Sequence, residues 1–172
     1  MAATYEPIAT TTLGSAGNSL TFSSIPATYT DLRLVVVAFD ASNDSTTANL
    51  FFQFNTDTGS NYSSTHLRGN GSAASSTRLT NTTVMPLTYQ TSLADNTTTP
   101  TMGIADIFSY AGSTYKTALI LNANDQNGSG SVEAFVGLWR NTAAINEIKV
   151  FMGGGLNLKA GTTATLYGIL KA

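Results

Sequence analysis

Ten strand-like runs, set apart by turn residues, constrain this chain more than any other feature. They are Tyr5–Leu13, Ser19–Phe22, Asp31–Phe39, Ala48–Phe54, Thr83–Thr88, Met102–Tyr110, Lys116–Asn122, Val132–Trp139, Ile145–Met152 and Thr163–Leu170. Between them stand Gly, Asn, Asp, Ser and Pro, the residues that turn a chain. No segment repeats apolar residues at helical spacing over three turns behind a capping signal. Many short strands and short turns predict an all-β chain, a sandwich or a barrel. A length of 172 residues suits a single domain with a proper core.

Alternation within the runs assigns faces. Leu50, Phe52 and Phe54 share one face. In Val132–Trp139, the residues Val132, Ala134, Val136 and Leu138 oppose Glu133, Phe135 and Trp139, and two aromatics argue against full solvation of the second face. Asp31–Phe39 turns apolar on both faces, as expected of a central strand or one covered by a partner. In the last strand Thr163, Thr165, Tyr167 and Ile169 line one face, and Ala164, Leu166 and Leu170 the other. Asn127-Gly128 marks a hairpin loop, and Pro26 holds Ile25 extended before a turn. Asn55–Arg78 is poor in apolar residues and reads as a long polar excursion, with Thr91–Pro100 a second polar loop.

Composition narrows the function. Only 10 % of residues are charged, against the usual ~25 %, and the net charge is −2. Thr, Ser and Asn fill the gap with about a third of the chain. Such a surface relies little on self-repulsion and tolerates close packing against copies of itself; the same residues also suit strands and turns. The Lys and Arg residues form no patch, so no footprint for nucleic acid is visible. Cysteine is absent, which removes disulfides and thiolate metal sites. No signal peptide or membrane-spanning apolar run is recognisable. The Asn-x-Ser/Thr sequons at Asn43, Asn61, Asn81 and Asn96 follow from the composition.

Catalytic chemistry is thin. His66, the only histidine, stands in the polar excursion with no nucleophile elbow beside it. One histidine and no cysteine exclude a metal site built on several such ligands. Asp40-Ala41-Ser42-Asn43-Asp44 spaces oxygen ligands as calcium loops do, but lacks their glycine and bidentate Glu, and reads as an inter-strand loop. Asp106, flanked by Ile104 and Phe108, lies in an apolar stripe and is expected to pair with Arg33, Arg140 or backbone amides. The sequence therefore predicts no enzyme, no cofactor and no metal. Trp139, Tyr167 and Phe135 are candidate core or interface anchors. Tyr62, His66 and Arg68 are the candidates for an exposed recognition loop.

Four segments together resemble a group of tailed-phage virion proteins, including those of cyanobacterial phages. They are Tyr5-Glu6-Pro7-Ile8-Ala9-Thr10-Thr11-Thr12, the stretch Leu20–Leu32, the stretch Phe54–Ser63 with its Asn-Thr-Asp-Thr-Gly-Ser-Asn-Tyr core, and Ala160–Ile169. Their order and spacing span nearly the whole chain. The resemblance implies a jelly-roll-like antiparallel β-sandwich, a homotrimer, on the outside of a virion, and it carries over no catalytic motif. Two roles are open. In the first, the chain is a capsid decoration or cement protein, bound to the major capsid protein on the outer capsid surface. Its brevity supports this, since strand-like sequence begins by Tyr5. Residues 1–7 are then a candidate docking arm. In the second, it is a receptor-binding knob whose excursion recognises a host surface glycan.

Overall fold

The computed structural model describes residues 4–41, 49–90, 93 and 99–170. Among them are twelve β-strands, one 3-10 turn at Gly153–Gly155 and no α-helix. The strands are β1 (Tyr5–Thr12), β2 (Ser19–Phe22), β3 (Asp31–Ala38), β4 (Leu50–Phe54), β5 (Tyr62–Gly69), β6 (Ala74–Thr82), β7 (Met85–Pro86), β8 (Thr101–Phe108), β9 (Lys116–Asn124), β10 (Ser131–Trp139), β11 (Ile148–Met152) and β12 (Thr163–Ile169).

They form two antiparallel sheets, ordered β1-β12-β3-β8-β9-β10-β5-β6 and β2-β11-β4-β7. Eight strands form a jelly roll: β1, β12, β3 and β8 face β2, β11, β4 and β7, and the chain crosses from sheet to sheet as it wraps. Two hairpins are added. β9–β10 follows β8, β5–β6 comes between β4 and β7, and both extend the larger sheet. The β9–β10 turn contains Asn127 and Gly128, both at positive φ, as a tight reversal requires.

The core lies between the sheets. Leu32, Leu34 and Val36 of β3, Ala164 and Leu166 of β12, and Ile107 of β8 meet Leu20, Phe52, Phe54, Ile148 and Val150 of the smaller sheet, all buried. Strict alternation in β3, β8, β9 and β12 places every second residue there. β1 is an edge strand. Its register shifts between Pro7 and Ala9, where proline at a bulge loses no ladder bond. Residues Tyr5–Pro7 pair with β12, so this part of the expected docking arm is strand. Residues 1–3 lie outside the described residues.

The larger sheet is twice as wide as the smaller one, so a second cover is needed. β7 and the segment following it supply it, running across β8, β9, β10 and β5. Leu87 lies on Gly103 of β8, and Met85 on Gly137 of β10, where an added Cβ would fall 2.8 Å and 2.2 Å from their side chains.

Candidate functional site

Under that segment the sheet turns polar. Backbone amides of Tyr89 and Gln90 donate to the two carboxylate oxygens of Glu133 at 3.0 and 2.8 Å. Asn122 Nδ2 bridges Glu133 at 3.0 Å and the Leu87 carbonyl at 2.8 Å. His66 Nε2 stands 3.4 Å from Glu133, with its ring stacked on Phe135 and Tyr89 edge-on to it. Glu133, His66 and Asn122 are all buried. A strand-like segment crossing a sheet face brings unpaired amides with it, and a buried carboxylate facing them satisfies both sides. Glu133 and Asn122 thus hold the protein's own backbone, while neither ring nitrogen of His66 has a hydrogen-bond partner among the described residues.

A second cluster centres on Trp139. Its indole packs against Phe54 and Tyr62, with centroids 5.3 and 6.3 Å apart. Nε1 donates to Asp57 at 2.7 Å. Asp57 also accepts from Asn61 and from the Gly59 amide. Burial works to raise the Asp57 carboxyl, but hydrogen bonds from Asn61, Trp139, Gly59 and Asn141 outweigh it and hold the group below its ordinary value. The Tyr62 hydroxyl accepts from the Phe54 amide at 3.0 Å. Lys116 is also buried, and donates to the carbonyls of Gly112 and Thr114 at 2.7 and 2.5 Å. Burial lowers its ammonium below the ordinary range. These groups hold loops in place.

The sequence candidates thus divide. Trp139 and Phe135 are core residues. Tyr167 is half-buried on the outer face of the larger sheet, beside Tyr5, Arg33 and Val35. Tyr62, His66 and Arg68 lie in β5 and not in an exposed loop: Tyr62 and His66 are buried, and Arg68 is half-buried opposite Glu133. Asp106 pairs with Arg33, at 2.5 and 2.7 Å, through both carboxylate oxygens. Asp40 is buried next to Leu158, while Ser42, Asn43 and Asp44 lie outside the described residues. Among the described residues, no three His, Asp or Glu side chains come together to hold a metal ion.

The surface that stands out is one the sequence reading did not single out: the outer face of the larger sheet. Leu67, Met102, Phe108, Leu119, Leu121, Val132 and Val136 are each 44–58 % exposed on it, and Ile104 37 %. The register makes them continuous. Val35 pairs with Ile104, Ile104 with Leu121, Leu121 with Ala134 and Ala134 with Leu67, one lateral row across five strands. A neighbouring row runs Val37, Met102, Ala123, Val132. Shallow open hollows of about 380 and 420 Å³ lie on the same face, one beside Val136 and Leu138, the other beside Met102 and Val132. Such relief suits a broad contact more than an enclosed small molecule. No known family model matches the chain, and neither does any curated protein or solved structure.

Proposed function

We propose that the chain is a non-enzymatic structural module, a decoration protein that binds the outer surface of a phage capsid and stabilises the shell. In this reading it self-associates, as a trimer by its resemblance to virion proteins, and its partner is the major capsid protein. The observation that carries the proposal is the broad apolar outer face on an otherwise well-filled jelly roll. Contiguous exposed apolar surface of this extent marks an assembly contact. Glu133, Asp57 and Lys116 are hydrogen-bonded to the chain's own backbone and side chains.

The glycan-binding knob takes the polar excursion Asn55–Arg78 with Tyr62 and His66 as its recognition surface; Tyr62 and His66 are buried in β5, which removes its two aromatic contacts.

Purified protein added to undecorated capsids is expected to bind at a fixed stoichiometry and to raise the temperature at which they open. Repeated weak contacts across a shell give this effect without a strong single site. Absence of binding, with attachment to host cells instead, would reject the capsid reading.

A further inference from the structure

We infer that the outer face of the eight-stranded sheet is where a second copy of this chain docks. The inference rests on the reading of the chain as a self-associating module, and adds the surface and its occupant. Area supports it first. The eight exposed apolar side chains leave roughly 700 Å² open, above the few hundred Å² of an ordinary monomer patch and near the ~800 Å² per partner of a stable interface.

Charge selects the occupant. The face carries the Arg33–Asp106 pair, which is closed on itself through two hydrogen bonds, and the exposed Arg78 of β6, which lies across from Thr65 at the hollow beside Val136. Rows centred on Ile104 and Leu121 carry no charge. A partner of different sequence gains selectivity from complementary charge, and the apolar rows offer none. Two copies that meet through the uncharged rows keep Arg78 at the β6 edge of the contact, and contacts between copies are the more apolar class. Thr10 and Thr165, and likewise Thr12 and Thr163, bond to one another at 3.0 Å beside the patch, which gives it a polar, internally satisfied rim.

The test is the mass in solution of the full chain, by light scattering at micromolar concentration. Wild type is expected to run as a multimer. Leu121→Glu, at the centre of the row, is expected to weaken association about 100-fold and give a single-chain mass. Thr21→Glu, on the outer face of the smaller sheet, is expected to keep the wild-type mass. Should Leu121→Glu fail to fold, Leu121→Thr with Val136→Thr, both good strand residues, takes its place. A single-chain mass for wild type, or a wild-type mass for the Leu121 variant, overturns the inference. Capsid binding is read separately. A multimer that ignores capsids rejects the decoration role alone. A single chain that binds capsids, and loses that binding with Leu121→Glu, rejects the second copy alone, since the capsid protein would then be the occupant.

Discussion

Trp139 reaches from the end of β10 to the loop after β4, and its single polar atom meets Asp57 there. The indole is fully buried, so Trp139→Ala removes both packing and a charge-assisted hydrogen bond. A loss of about 3–5 kcal/mol is expected, measured by urea unfolding. Asp57 adds a pH dependence. Its carboxyl is held below its ordinary value of 3.8. A carboxyl lowered on folding contributes stability above its unfolded value and loses it as pH falls through the folded one. The acid limb of the stability curve, from about pH 5 down to about pH 2, is therefore expected to be shallower in Asp57→Asn than in wild type. Equal slopes would mean that Asp57 takes no part.

Among the elements, the covering segment after β7 and the β5–β6 hairpin explain each other. Glu133 holds the segment to the sheet through the amides of Tyr89 and Gln90. Glu133→Ala leaves those amides and Asn122 without their acceptor. A cost of roughly 3–5 kcal/mol is expected, together with faster proteolytic cleavage near residues 87–90. A variant with the wild-type urea midpoint would show that packing of Met85 and Leu87 suffices.

This arrangement also explains which elements the sequence disclosed. The ten expected runs correspond to observed strands, with ends shifted by a few residues. β5 and β6 were hidden in the polar excursion. The reason lies in residues such as Ser64, His66 and Arg68. They face inward, yet they are polar, because what covers this part of the sheet is a segment of backbone and not the apolar face of the smaller sheet. Opposite them, Ser63 and Thr65 face outward and are polar too, so the contrast that signals a strand vanishes. β8, β9 and β10 pose the converse problem. Alternation there is clear, but both faces are apolar, so the pattern groups residues such as Leu119 and Leu121 without saying whether they face core or solvent. His66 and Tyr62 were misplaced for the same reason as their strand. Pairing across strands, as between Arg33 and Asp106, depends on register and was legible only as one of several options.

For the whole molecule, the decisive fact is the unequal width of the two sheets. Eight strands of a jelly roll make a balanced sandwich, and the two added hairpins unbalance it. The inner excess is covered by the chain's own segment after β7. The outer face keeps its apolar rows exposed. Glu133 and Trp139 are buried and serve stability, while Leu121 and Ile104 are exposed on the outer face, where the proposed assembly contact lies.

One pairing reaches further. β1 lies against β12, and the Leu170 amide donates to the Thr4 carbonyl at 3.0 Å. In terms of connectivity the described fold is a ring with a narrow gap. A short peptide from residue 170 back to residue 4 would close it without moving a strand, and the ring would then tolerate being opened elsewhere, for instance at the exposed Asn127-Gly128 turn. The order in which the strands occur along the chain is thus separable from the order in which they lie in the sheets, and a rearranged chain would present the same outer face.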